Sequence, residues 1–130
     1  MEFTLKTIIE SSPEVIYATW LSSEGHAKMT GGVASISDRV GADFTAWDGY
    51  IKGKNLELER NRRILQSWRT SDFEDDEKDS QLEILLNEQD GHTELTLIHT
   101  NLSEHGEQYK TGWVNHYFEP MKAYFSQIKK

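Results

Sequence analysis

The sequence predicts an α+β fold in which a curved antiparallel sheet wraps around a long carboxy-terminal helix, with one or two short helices after the first strand. Three observations carry that expectation. Short strand-like segments follow one another between turn residues, and a short amphipathic helix interrupts them near the start. The chain then closes on Gly112-Trp-Val-Asn-His-Tyr-Phe-Glu-Pro-Met-Lys-Ala-Tyr-Phe125, whose aromatic residues recur at helical spacing.

The elements follow in order. Phe3, Leu5, Thr7 and Ile9 alternate with Thr4, Lys6 and Ile8, the two-residue period of a half-buried strand. Ser12 supplies a helix cap and Pro13 a first-turn residue, where its missing N–H costs nothing. Val15, Ile16, Thr19 and Trp20 share a stripe, predicting a helix over 13–21. A second short helix is expected over 24–29 with Ser23 as cap, ended by Gly31-Gly32. Strands are then predicted at 33–38, 42–47, 50–59, 63–70, 80–88 and 93–101. Asp48-Gly49 is the strongest local hairpin signal, because glycine accepts the positive φ of tight turns, and Asn87-Glu-Gln-Asp-Gly91 is a second, longer turn.

The final helix is expected over 108–129. Trp113, Tyr117, Met121, Phe125 and Ile128 fall on one side of it, widened by Val114, Phe118 and Tyr124. Asn115, Glu119, Lys122 and Gln127 mark the wet side. Pro120 cannot donate to the carbonyl of His116 and its ring crowds that group, so a kink or broken turn is expected near 116–120. A sheet with one apolar face needs a cover, and this helix is the only element large enough.

At 130 residues the chain has the size of a single domain spanning 1–130, able to bury roughly two thirds of its unfolded surface. With no cysteine, disulfides and thiolate chemistry are excluded. The start shows no basic, apolar leader and no stretch approaches membrane-spanning length, so a cytoplasmic protein without membrane insertion is expected. A net charge of -8, from 22 acidic and 14 basic residues, repels phosphate backbones and argues against nucleic acid as a partner.

Several motifs resemble a known family. Phe44-Thr-Ala-Trp-Asp-Gly-Tyr-Ile-Lys-Gly53, Arg63-Ile-Leu-Gln-Ser-Trp-Arg69, Thr93-Glu-Leu-Thr-Leu97 and Gly112-Trp113 through Tyr124-Phe125 are similar to the family named after the activator of the 90-kilodalton heat-shock protein ATPase. The similarity spans about residues 10–126, and the Gly-Trp-Val-Asn-His-Tyr-Phe-Glu run is particularly similar to that co-chaperone's carboxy-terminal domain. Gly41-Ala42 stands in place of a frequent glycine pair, and Glu59-Arg60 where many members carry proline. The resemblance implies the helix-grip fold of the START and Bet v 1-like proteins, with a hydrophobic cavity between sheet and helix. In the co-chaperone a separate amino-terminal domain carries the main ATPase stimulation, and 130 residues leave no room for it.

Trp68, His99, Trp113 and Tyr117 are the candidate ligand-binding residues, because indole, imidazole and phenol place polar points on apolar surfaces. His99 shares a strand face with Leu95 and Leu97, so it points inward and its neutral form needs a partner. No catalytic residue is assigned. No cofactor is expected, since phosphate-loop and dinucleotide fingerprints are absent. No metal is expected either: His92, His99, His105 and His116 lack short ligand spacing. Asp72-Phe-Glu-Asp-Asp-Glu-Lys-Asp79 reads as a solvated, self-repelling loop, and Lys52, Lys54, Arg60, Arg62, Arg63 and Arg69 as an ordinary basic sheet face that could also dock an acidic partner. Three functions stay open: a non-enzymatic binder of a small hydrophobic or aromatic ligand, a module that binds a heat-shock protein 90-type chaperone, and a polyketide cyclase-like or hydrolytic enzyme working through His99 or another buried acid or base. Oligomeric state is not encoded in any of these patterns.

Overall fold

Strand alternation and the aromatic helix stripe meet as expected in the computed structural model, which describes residues 1–128, apart from the side chains of 105, 127 and 128. β1 (Phe3–Ile9) is followed by α1 (Pro13–Trp20) and α2 (Ser23–Thr30), then by β2 (Asp43–Ala46), β3 (Ile51–Glu59), β4 (Arg63–Thr70), β5 (Ser80–Gln89) and β6 (His92–Thr100). The strands form one antiparallel sheet in the order β1-β6-β5-β4-β3-β2. A single 3₁₀ turn (Glu104–Gly106) leads into the terminal helix. That helix is α-helical over α3 (Glu107–Trp113), π-helical over Val114–Phe118 and α-helical again over α4 (Glu119–Ile128).

The inner face of the sheet is read directly from the two-residue period. Ile64, Gln66, Trp68 and Thr70 of β4, Ser80, Leu82, Ile84 and Leu86 of β5, and Thr93, Leu95, Leu97 and His99 of β6 are all buried. Against them pack Tyr109, Trp113, Tyr117, Phe118, Met121 and Phe125 of the terminal helix. At roughly 1.5–3 kcal/mol per large apolar side chain, this stripe is a major part of the core. Val114, expected on the apolar face, is instead 37% exposed. Ile128 and Gln127 lie outside the described side chains, and residue 129 outside the described chain.

Pro120 is accommodated one turn upstream of its own position. The N–H of Glu119 reaches back five residues to the carbonyl of Val114, so the backbone widens just before the proline and Pro120 falls in the first turn of α4. The expected break is therefore a hydrogen-bonded π-turn.

Four local expectations are corrected. Segment 33–38 is not a strand: it makes one bridge, Ser35 to Thr45, at the β2 edge. The hydroxyl of Ser23 occupies both backbone groups of Ile36 at 3.0 and 2.9 Å, which fixes the segment by a side chain. Ser23 is consequently not the cap of α2; Ser22 is, accepting from Gly25 at 3.1 Å. In α1 the buried residues are Ile16, Tyr17 and Trp20, with Val15 left 40% exposed. The tight two-residue hairpin is Asp90-Gly91, both at positive φ (50° and 87°), whereas Ala46 and Ile51 are paired across a four-residue loop, Trp47 to Tyr50.

Asn55, 1% exposed on β3 beside a bulge, pins the long 37–42 segment. Its amide donates to the carbonyls of Ser37 (2.8 Å) and Arg39 (3.0 Å), while its oxygen accepts from Gln66 (2.9 Å). The acidic loop is likewise organised rather than repelled. Arg69 donates to Asp79 (2.8 Å) and to the carbonyls of Glu74 and Glu77 (3.0 Å each), and lies over the Phe73 ring. Arg63 pairs with Glu57, Glu59 and Glu83, and Lys54 with Asp43, so much of the basic face is neutralised within the sheet.

Candidate functional site: an aromatic cavity between sheet and helix

The terminal helix does not fill the sheet's concave side completely. Between β3, β4, the β2–β3 loop and the first half of the helix lies a cavity of about 320 Å³. Trp47, Tyr50, Ile51, Trp68, Tyr109, Gly112, Trp113, His116 and Tyr117 line it. Helical spacing explains four of these: Tyr109, Trp113 and Tyr117 are four apart, and Gly112 precedes Trp113 on the same wall. Gly112 leaves its part of the lining uncrowded: a Cβ there would meet nothing within 4 Å.

The walls are aromatic faces, and the hydroxyls of Tyr50, Tyr109 and Tyr117 and the indole N–H of Trp113 are bonded to other protein groups. Trp68 meets Tyr109 edge-on at 5.0 Å and Trp113 at 5.6 Å, and Trp113 meets Tyr117 at 4.6 Å. The Tyr50 hydroxyl donates to Asp72 at 2.6 Å, and that of Tyr109 lies 2.6 Å from the Thr70 hydroxyl. Burial, followed by the bond to Asp72, pushes the Tyr50 phenol up to about 12. Burial also raises Tyr109, and raises Tyr117 far above the ordinary phenol range.

Two buried histidines hold this wall in place. The indole N–H of Trp113 donates to Nδ1 of His99 at 3.0 Å. Nε2 of His99 lies 2.8 Å from the Ser80 hydroxyl, which donates to the carbonyl of Trp68 at 2.7 Å. That relay has one consistent proton assignment: His99 is neutral with its proton on Nε2. His26 shows the opposite tautomer. Its Nδ1 donates to the carbonyl of Trp20 (2.8 Å), and its Nε2 accepts from the Tyr117 hydroxyl (2.7 Å). Desolvation lowers His99 to about 3 and His26 to about 4, so both are neutral at ordinary pH.

Of the four residues singled out in the sequence, Trp68, Trp113 and Tyr117 meet around the cavity. His99 is wholly buried and does not line it; the Trp113 indole stands between. With both ring nitrogens bonded, His99 has no free lone pair to serve as a base toward the cavity. Sequence reasoning missed Tyr109, Gly112, Trp47, Tyr50, Ile51 and His116 on the wall, and His26 and Ser80 behind it. Tyr109 was findable as one more step of the four-residue stripe, and Gly112 as an isolated glycine inside a helix. Trp47 gave no periodic signal, because it sits in a loop. Among the described residues no cluster of three His, Cys, Asp or Glu side chains forms a metal site, and no helix is long and apolar enough to cross a membrane.

The profile of the family described as activator of Hsp90 ATPase homolog 1-like protein matches residues 10–126. The human activator of 90 kDa heat shock protein ATPase homolog 1 is 25% identical over 125 residues, covering 95% of this chain. This chain spans just over a third (37%) of that relative's length. An HSP90 activator from Plasmodium falciparum superposes with a TM-score of 0.88 at 20% identity, over 97% of this chain and 96% of that one. CalU16 from Micromonospora echinospora superposes with a TM-score of 0.79 at 19% identity, over 96% and 76% of the two chains. The chain belongs to the family of activator of Hsp90 ATPase homolog 1-like proteins, and its fold is their START-like helix grip.

Proposed function

We propose that this protein is a non-enzymatic binding domain that takes a small, flat, neutral hydrophobic or aromatic ligand between Trp68, Trp113 and Tyr117. One observation carries the reading: an aromatic-walled cavity of about 320 Å³ whose phenols and whose Trp113 indole already have internal partners. Such a wall offers stacking and dispersion but no counter-charge at its base, which favours uncharged rings over ions. His99 contributes by holding Trp113 against Trp68.

A screen of neutral bicyclic and tricyclic aromatic compounds by thermal shift tests it. At ten times Kd, binding adds about 1.4 kcal/mol, which raises Tm by about 5 °C in a domain of this size. Hits should vanish in Gly112→Leu, whose side chain projects into the cavity. No hit, or hits that survive G112L, refutes the proposal.

The family supports a second reading, in which the outer surface docks a heat-shock protein 90-type chaperone: the human relative is named as an activator of the 90 kDa heat shock protein ATPase, and the Plasmodium protein as an HSP90 activator. Titrating the purified chaperone from the same source checks it, and no association at tens of micromolar removes it.

A further inference from the structure

The cavity wall is dominated by Trp47, Trp68 and Trp113 together with Tyr50, Tyr109 and Tyr117. None of its lining residues is Lys, Arg, Asp or Glu, so a charge placed inside meets ring carbon first. Successive rings turn against one another: Trp68 stands at 81° to Tyr109 and 39° to Trp113, and Trp113 at 49° to Tyr117. The wall is a curved set of π faces rather than a parallel stack.

The partners of these rings make the faces electron-rich. Tyr50 donates its proton to the Asp72 carboxylate (2.6 Å), Tyr117 to Nε2 of His26 (2.7 Å) and Trp113 to Nδ1 of His99 (3.0 Å). A proton shared with an outside acceptor leaves electron density on the ring, and the face is already the negative part of an aromatic quadrupole. Carboxylates add to that field at one corner. Burial raises the Tyr109 phenol, and the charges of Asp72 and Glu77 push in the same direction. Arg69, the cation of that loop, is taken up by Asp79 and by the carbonyls of Glu74 and Glu77.

Most ions gain little in such a cavity, because they leave water and find no hydrogen bond. A quaternary ammonium is the exception. It has no N–H to satisfy, its charge is spread over apolar methyl groups, and ring faces attract it directly.

We infer that the cavity is an aromatic cage for a quaternary ammonium group, with Asp72 supplying negative charge beside Tyr50. This rests on the cavity-binding reading above, in needing a cavity open to ligand, and goes beyond it in the charge of the ligand.

Phenyltrimethylammonium and tert-butylbenzene have the same shape and differ by one charge, so the pair isolates the effect. Calorimetric titration at pH 8, where ordinary imidazoles such as that of the lining His116 are neutral, should find the ammonium about tenfold tighter. Replacing all four tryptophans by 5-fluorotryptophan and then by 5,6,7-trifluorotryptophan keeps ring shape and withdraws density from the faces. Affinity for the ammonium should fall stepwise, about threefold or more in total, while that for tert-butylbenzene stays nearly constant. Asp72→Asn, which keeps an acceptor for Tyr50, should weaken the ammonium about threefold and leave tert-butylbenzene unchanged. If tert-butylbenzene binds as tightly as the ammonium, or fluorination leaves the ammonium unaffected, the cage is refuted while the cavity reading stands. If neither probe binds but neutral bicyclic compounds do, the cage alone falls. If nothing binds, both fall together.

Discussion

Burying two neutral histidines makes this fold sensitive to mild acid, by an amount that follows from the geometry. In the unfolded chain each titrates near the ordinary value of about 6.5. In the folded chain His99 is lowered to about 3 and His26 to about 4, in both cases by desolvation. As pH falls below about 6.5 the unfolded state takes up protons that the folded state refuses, so stability is full above that value. It declines continuously as pH falls toward the folded values. At pH 5 each histidine contributes a loss of about 2 kcal/mol, so the pair contributes about 4 kcal/mol. Ordinary carboxylates titrate mostly below this window and change the result little.

A loss of that size is a large fraction of the usual 5–15 kcal/mol of a domain. Urea unfolding at pH 7.5 and pH 5.0 measures it, with an expected drop in midpoint of about 2–3 M. His99→Gln keeps hydrogen-bonding atoms but does not titrate, so the drop should shrink by about half whatever the variant's own stability. Long-range ¹⁵N–¹H spectra at pH 5 should show both rings neutral, with the proton on Nε2 of His99 and on Nδ1 of His26. A midpoint that moves by less than about 0.5 M, or rings that titrate near 6.5, refutes the buried relay.

Other substitutions test separate parts of the structure. Gly112→Ala should raise stability by about 1 kcal/mol in denaturant unfolding, since it replaces a helical glycine where nothing crowds the new methyl, and a fall would mean that the cavity wall is closed. Asn55→Leu should cost about 3 kcal/mol or more, because it strands the Gln66 amide and the Ser37 and Arg39 carbonyls. Hydrogen exchange should then rise across 37–42, and unchanged exchange there contradicts the pinning role. Pro120→Ala should change stability by only about 1 kcal/mol or less, because the π-turn places the proline in a first turn. A gain near 3 kcal/mol would show that the proline is strained in the helix interior.

All six strands of the sheet were visible in the sequence, the edge strands β1 and β2 included. Ile64, Gln66, Trp68 and Thr70 alternate because one face meets the helix, and the same holds for Leu95, Leu97 and His99. Segment 33–38 alternates as well, yet its backbone is taken by the Ser23 hydroxyl and one bridge, a tertiary arrangement that no local pattern encodes. Periodicity also reports a face and not a depth. It placed His99 inward correctly but could not tell the cavity wall from the layer behind it, and that difference separates a base from a residue that holds Trp113.

The terminal helix shows how a departure from regularity produces both the core and the cavity. Its buried positions Tyr109, Trp113, Tyr117, Met121 and Phe125 recur every four residues. In a regular α-helix each step of four overshoots a turn by about 40°, so four steps carry the stripe about 160° around the axis and off the sheet. One extra residue in the turn at Val114–Phe118 rewinds the face by about 100°, which returns Met121 and Phe125 to the sheet. The Glu119 N–H that closes this turn on Val114 also removes the demand for an N–H at Pro120. The same turn carries His116 and Tyr117, which face the cavity beside Gly112 and Trp113. The proline, the four-residue spacing and the aromatic wall are thus linked: restoring a regular helix would misplace either the lower core or the upper wall.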